Sequence, residues 1–307
     1  MFRDMSRLYG EDCFTGMNYL ANAYGQFADL VITSPPYAEQ RKNQYGGIPE
    51  KDYPEWMVSV GEKIKPILKP NGSAFINIRP HIESGEISDY VLKTRLALRE
   101  AGWKECEELM WIKPDSPPLG STKRPRRAWE SILWFSPSNQ PYCDPKAGGT
   151  ESNRLGFEQS KFVEGGKSHI HGGQSKAKKG IARVKDYIEV GTSRVEKGLK
   201  HPAMFPIEVP EYLIRLCCPD NGMVVDPFGG SCTVARAAIN EDVGFCCFEI
   251  NDEHYEEAYR VTRDHIIKSG KESMYRDFIE LSDVILGELH EQGVRAGIGE
   301  KELELSY

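Results

Sequence analysis

The segment Val224-Val225-Asp226-Pro227-Phe228-Gly229-Gly230-Ser231-Cys232-Thr233 constrains the fold of this chain more than any other. A short apolar run enters a glycine turn and passes straight into a helical pattern at residues 231–240, followed by a second apolar run at 243–250 (VGFCCFEI). A strand that feeds a helix and then another strand must return by a crossover, so the two strands are expected to lie parallel. The rhythm recurs upstream. Residues 27–33 (FADLVIT) and 73–78 (SAFINI) read as buried strands. Between them, residues 53–68 set Trp56, Met57, Val60, Ile64, Ile67 and Leu68 on one helical face, with Pro54 suited to the first turn. Lys69-Pro70-Asn71-Gly72 is expected to stop that helix and turn the chain. Residues 109–113 and 131–135 are further strand candidates, 223–226 is a short strand, and 210–217 and 252–267 read as helices. The expected fold class is α/β, a mostly parallel, doubly wound, Rossmann-like sheet.

Charge divides the chain more sharply than hydropathy. The net charge of −7 argues against a polyanionic partner. Yet residues 120–200 carry 16 lysines and arginines against 8 acidic residues, whereas residues 241–307 carry 7 against 17. A basic face on an acidic protein reads either as a polyanion-binding surface or as a solvated loop. Residues 138–200 hold little apolar periodicity and much Gly, Ser, Lys and Arg, which marks an insertion that binds a partner or a disordered stretch. The expected units are therefore 1–137, the insertion 138–200, 201–270, and an acidic extension 271–307 of one or two peripheral helices.

Several classes are disfavoured. No apolar run approaches the ~18–20 residues of a membrane span, and the charged start MFRDMSRLYGED lacks a secretory apolar core, so no membrane partner and a cytoplasmic setting are expected. The eight cysteines include no C-x-x-C, and the pairs Cys217-Cys218 and Cys246-Cys247 sit in apolar runs as buried, inert hydrophobes. His169 and His171 read as loop residues, so no metal is expected, and the 129–134 run with its two tryptophans reads as sheet core.

Two motifs carry chemistry. In the glycine turn, Gly229 and Gly230 let the backbone approach a ligand, and the following helix offers unpaired N–H groups. Glu249, sixteen residues beyond Thr233 at the end of the next strand, could accept hydrogen bonds from both hydroxyls of a ribose. The pattern is neither G-x-x-x-x-G-K-[ST] nor G-x-G-x-x-G, which counts against NTP hydrolysis and ordinary dinucleotide binding. The second motif, Thr33-Ser34-Pro35-Pro36-Tyr37, follows the strand FADLVI directly. Its two prolines remove backbone donors and leave the preceding carbonyls as uncommitted acceptors, Ser34 adds a hydroxyl, and Tyr37 adds a flat face. Acceptors beside a stacking ring suit a planar ring bearing an exocyclic amine; a rigid turn with Tyr37 as packing is the other reading.

TSPPY together with DPFGGSCT resembles the amino-methyltransferases of DNA that use S-adenosylmethionine. The order, SPPY first, then a basic insertion, then the glycine loop, is similar to the permuted beta group of that family over about residues 7–268. The resemblance implies a methyltransferase sheet with an inserted DNA target-recognition region. It assigns catalysis to Ser34, Pro35, Pro36 and Tyr37. Cofactor binding falls to Asp12 and Cys13 in a G-x-D segment, to Thr33, to His201, Pro202 and Ala203 of an H-P-x-x-x-P segment, and to Asp226, Pro227, Phe228, Gly229, Gly230, Ser231, Thr233, Glu249 and Ile250. Cys232 stands where the family usually has glycine. Lys123, Arg124, Arg126 and Arg127 near the entrance of the insertion, and Lys176, Lys178, Lys179, Arg183 and Lys185 within it, are expected mostly on DNA phosphates.

A serine at the head of the tetrad goes, in that family, mostly with cytosine N4, and an aspartate with adenine N6. The implied activity is site-specific methylation of a flipped cytosine at N4 in double-stranded DNA. Alternatives are an N6-adenine enzyme of the same architecture, methylation of RNA or of a protein amide, and an inactive DNA-binding relative. Cytosine C5 chemistry needs a nucleophilic cysteine that usually follows proline in its own family, and no Pro-Cys pair exists here. A homodimer and a companion restriction endonuclease are compatible with the resemblance, as is a prokaryotic or viral source.

Overall fold

The computed structural model describes residues 2–39, 47–116, 123–149, 151–152, 180–192 and 205–292. Their main sheet has eight strands: β1 (Arg7–Tyr9), β2 (Ala28–Thr33), β3 (Leu68–Ile78), β4 (Lys104–Ile112), β5 (Trp129–Ser136), β6 (Tyr187–Glu189), β7 (Met223–Asp226) and β8 (Gly244–Phe248). They lie in the order β1-β8-β7-β2-β3-β5-β4-β6. All pairings are parallel except the two made by β5, which runs antiparallel to β3 and β4. The chain crosses over through α1 (Cys13–Tyr24), α2 (Tyr53–Ile64), α3 (Tyr90–Glu100), α4 (Glu208–Cys217), α5 (Thr233–Asn240) and α6 (Asp252–Lys268), and α7 (Arg276–Gln292) follows.

Both faces of the sheet are covered, and strand alternation assigns the side chains. Leu30, Ile32, Val224, Phe245 and Cys247 join one core with residues of α4 to α7. Val31, Val225, Cys246 and Phe248 join the other with residues of α1 to α3. A doubly wound sheet explains why β2 is buried at every position, each fully buried aliphatic contributing roughly 1.5–3 kcal/mol. Among the described residues no helix is long and apolar enough to cross a membrane.

Four local expectations are corrected. Helix α2 ends at Ile64, and Ile67 and Leu68 leave its face to be buried at the start of β3. Lys69-Pro70-Asn71-Gly72 lies within β3 as an irregularity, since Ala28 pairs with Leu68 but Leu30 with Ser73; a proline without an N–H is tolerated at such a bulge. Part of the basic insertion belongs to the sheet, because β6 pairs with β4 and the Trp111 indole N–H donates to the Val190 carbonyl at 2.9 Å. The start of the acidic extension is core material: Tyr275 and Phe278 are buried, the Tyr275 hydroxyl donates to the Val243 carbonyl at 2.8 Å, and Phe278 stacks on Tyr259.

One close approach ties helix to sheet. A Cβ on Gly16 of α1 would fall 2.1 Å from Phe248 Cε1, and Phe248 stacks on Tyr9 with ring centroids 5.0 Å apart. Gly16→Ala must push that ring aside, so the variant should lose about 1–3 kcal/mol in denaturant unfolding despite the better helix propensity of alanine.

Candidate active site

Parallel strands end at the same edge, and this molecule gathers its chemistry there. The two motifs lie far apart in the chain but leave neighbouring strands, since Val224 and Val225 of β7 pair with Leu30 and Val31 of β2. Beyond those strand tips a cavity of about 510 Å³ opens. Ser34, Pro35, Pro36 and Tyr37 line it from one side, and Asp226, Pro227, Phe228, Gly229, Ser231 and Thr233 from the other. Asp12, Cys13, Glu249 and Ile250 also line it, supplied by the ends of β1 and β8. Gly230 supports the wall through its amide, and Thr33 is buried at the tip of β2.

Local geometry explains each position. Asp12 caps α1, its Oδ1 accepting from the Phe14 and Thr15 amides at 3.0 and 3.2 Å. Glu249 Oε2 accepts from the Gly230 amide at 2.9 Å and Oε1 from the Asn251 amide at 2.7 Å, which fixes its carboxylate against the glycine turn. The Asp226 carboxylate accepts from the Phe228 amide at 3.0 Å, and burial pushes its pKa up to about 7. Cys232 caps α5 with φ 54° and ψ 45°, the left-handed conformation in which glycine is least strained. That backbone accounts for the family's glycine at this position. The buried Arg236 braces the same turn by donating to the Ser231 carbonyl at 2.8 Å.

Other parts of the wall carry no motif. Asn77 of β3, Trp111 of β4, Lys113 just after it, Glu130 of β5, Trp56 of α2, Thr192 and Phe205 all line the cavity. Because β5 runs antiparallel, it enters the sheet at the edge where its neighbours leave, which brings Glu130 opposite Trp111. Trp56 packs at the margin of the core face and also against Phe228, with ring centroids 5.5 Å apart. Alternation could have flagged Glu130 and Asn77, since each is a polar residue inside an otherwise apolar run.

The basic residues are placed differently. Arg124 donates to the Gly85 carbonyl, Arg126 to Ser116 at 3.1 Å and Arg127 to Pro80; Arg183 is exposed, and the exposed Lys185 lies over the Tyr187 ring. Lys123 is exposed as well, and none of these six lines the cavity. Lys176, Lys178, Lys179, His169, His171, His201, Pro202 and Ala203 lie outside the described residues. The 129–134 run is divided: Trp134 donates to Ser73 Oγ at 2.9 Å, whereas Trp129 is 47% exposed because β5 begins at the open edge of the sheet.

Burial keeps the thiol chemistry quiet. The Cys13 thiol is pushed up to about 12 by burial and by the neighbouring Asp12, so it is not the thiolate a covalent mechanism would need. Burial likewise raises Cys246 to about 12 and raises Cys218 and Cys247, and the neighbouring Cys143 together with burial raises Cys217.

Comparison with known proteins agrees with this geometry. A family model described as DNA methylase matches residues 28–260. The Type II methyltransferase M.PvuII of Proteus hauseri is 29% identical over 253 residues, covering 73% of this chain and 75% of that protein. M.BglII of Bacillus subtilis, also a Type II methyltransferase, is 26% identical over 265 residues, covering 84% and 69%. Among solved structures, PvuII DNA methyltransferase (cytosine-N4-specific) superposes with a TM-score of 0.63 at 23% identity, covering 89% of this chain and 92% of that one. M1.HpyAVI in complex with SAM gives a TM-score of 0.56 at 18% identity, covering 83% and 97%. The family match runs from the first residue of β2 through both motifs and beyond β8, so the chain belongs to the DNA methylase family.

Proposed function

We propose that this DNA methylase transfers a methyl group from S-adenosylmethionine to the exocyclic N4 of a cytosine turned out of duplex DNA. One observation carries the reading: the acceptor-rich SPPY tip and the glycine turn with Glu249 face a single cavity. The donor set fits the cofactor. Glu11, Asp12, Asp226 and Glu249 line the cavity, and among the described residues Lys113 is the only lysine or arginine that does, so this cavity suits a sulfonium that also carries an amine and ribose hydroxyls. Glu249 meets the ribose hydroxyls, Asp12 and the Cys13 amide face the adenine, and residues 226–233 enclose the remainder. His201, Pro202 and Ala203 are proposed to border the methionine part.

The bound cofactor supplies an electrophilic methyl group. An amino group on a base is a poor nucleophile because its lone pair is delocalised into the ring. The Ser34 hydroxyl or carbonyl and the Pro35 carbonyl accept its two N–H bonds and draw the nitrogen towards tetrahedral geometry, ready for in-line attack. Pro36 has no N–H to compete for those acceptors, and Tyr37 stacks on the ring. Catalysis is positioning and electrostatics without a covalent adduct, consistent with the protonated Cys13.

Cytosine N4 is favoured by Ser34 at the head of the tetrad and by the likeness to M.PvuII. Lys123, Arg124, Arg126, Arg127, Lys176, Lys178, Lys179, Arg183 and Lys185 supply salt-dependent phosphate contacts, and the insertion selects the site. A homodimer and a companion restriction endonuclease, in keeping with the Type II relatives, belong to the same proposal. The test is transfer of labelled methyl groups to mixed-sequence duplex DNA, followed by digestion to nucleosides and mapping of the modified position. N4-methylcytosine is the expected product. N6-methyladenine would move the substrate within the same architecture, and no incorporation would overturn the reading.

A further inference from the structure

Beside the SPPY tip lies a buried polar cluster that the proposed methyl transfer does not use. Glu130 Oε2 accepts from the Tyr37 hydroxyl at 2.9 Å and from Asn77 Nδ2 at 2.8 Å, and Oε1 accepts from the Lys113 ammonium. Asn77, Lys113 and Glu130 are each less than a tenth exposed, and all line the cavity with Ser34 and Pro35. Burying a carboxylate, an ammonium and a carboxamide in a core is costly unless each is fully partnered. Here the partnering is incomplete, and both vacancies belong to residues of the cavity wall.

The first vacancy is on Asn77. An ionised carboxylate only accepts, so Glu130 fixes which end of the amide it meets, and Nδ2 also donates to the Tyr37 hydroxyl at 3.1 Å. Asn77 Oδ1 is thereby held away from Glu130, buried and without a hydrogen-bond partner. The second is on Lys113. Its ammonium has three N–H donors, and among the described residues it bonds only Glu130, while it lies 4.0 Å from the Trp111 ring centroid.

We infer that Asn77 and Lys113 read the edge of the target ring, Asn77 Oδ1 sharing with the SPPY acceptors, in a three-centre bond, one of the two N–H groups of the exocyclic amine and the Lys113 ammonium donating to the ring acceptors, with Glu130 as the positioning residue that holds both. The inference rests on the methyl-transfer reading above and makes its substrate class more specific. Cytosine presents an amine, the N3 acceptor and the O2 carbonyl in a row. Adenine presents an amine and N1, then a C–H where cytosine has O2. A cation two positions from the amine therefore favours the pyrimidine. Lys113 also keeps Glu130 ionised, which preserves the orientation of the amide.

The test compares methyl transfer to cytosine and to adenine placed unpaired at the mapped position of one duplex. In wild type cytosine is expected to be preferred, and the cytosine-to-adenine ratio of kcat/KM should fall at least tenfold in the double variant Lys113→Met, Glu130→Gln, which removes both charges together. Lys113→Arg should restore most of the preference. Thermal melting reports whether the double variant folds. A second measurement needs no variant: 2-thiocytosine, whose sulfur is a poor acceptor, should react at least fivefold more slowly than cytosine with wild type. A folded double variant with an unchanged ratio, or 2-thiocytosine reacting as fast as cytosine, overturns the inference and leaves the methyl-transfer reading intact. Failure of wild type to modify either base overturns both.

Discussion

Tyr37→Ala is expected to lower kcat/KM for methyl transfer about a hundredfold while Tyr37→Phe lowers it less than tenfold. The two variants separate what the side chain does. Alanine removes the ring, whose stacking on a base is worth roughly 1–3 kcal/mol, a factor of about 5 to 150. It also removes the hydroxyl that donates to Glu130. Phenylalanine keeps the face and removes only that hydroxyl, leaving Glu130 with the Asn77 amide and Lys113. Burial and the Glu130 carboxylate hold the Tyr37 phenol well above its ordinary pKa, so it stays a neutral donor over the whole working range. Single-turnover rates and melting temperatures, measured together, check this. Were Tyr37 only packing, both variants would lower the melting temperature and leave the single-turnover rate of the folded fraction unchanged.

What the sequence made legible follows from the range of the interactions involved. Residues 27–33 and 223–226 read as strands because burial on both faces demands unbroken apolar runs, and both lie in the sheet core as β2 and β7. The place of Ser34, Tyr37, Asp226 and Glu249 at the cavity was legible because its signals are local: a proline pair, a glycine turn, an acid at a strand end. Glu130 stood out only as a polar residue in an apolar run, and neither it nor Lys113 could be assigned to the site. Their place at the cavity depends on β5 running antiparallel between β3 and β4, a pairing that no local pattern encodes. Helix α2 was located correctly but drawn too long, since Ile67 and Leu68 continue its apolar spacing while serving the sheet. Tyr275 and Phe278 stood in an acidic stretch whose charge hid an apolar stripe, and only their packing on Phe245 and Tyr259 reveals it.

Asp226→Asn should change the pH dependence of stability more than any other single substitution at the site. Asp226 is 2% exposed, and burial raises its pKa from 3.8 to about 7, with Glu249 adding to the rise against the Phe228 amide. Between about pH 4 and pH 7 the folded protein holds a proton on this carboxyl that the unfolded chain has released. Unfolding then releases a proton, so stability falls as pH rises through that window and levels off above it. At about 1.4 kcal/mol per pH unit the fall amounts to roughly 4 kcal/mol at most. Asparagine keeps the acceptor for the Phe228 amide but does not titrate; its added N–H₂ needs a partner and costs about 1–3 kcal/mol at every pH. The variant should therefore be the less stable protein at pH 4 and equal or more stable at pH 8. The difference between variant and wild type in urea unfolding isolates this residue, because all other groups titrate in both. Parallel pH profiles would show that Asp226 is ionised throughout. Above pH 7 the free protein thus carries a charge that works against its own fold. A cationic methyl donor in the same cavity favours the ionised form, so wild-type affinity for S-adenosylmethionine should strengthen as pH rises through 7, whereas in Asp226→Asn it should be weaker and nearly flat. A carboxylate that costs stability when alone and binds when paired gives a physical reason for aspartate at the tip of β7.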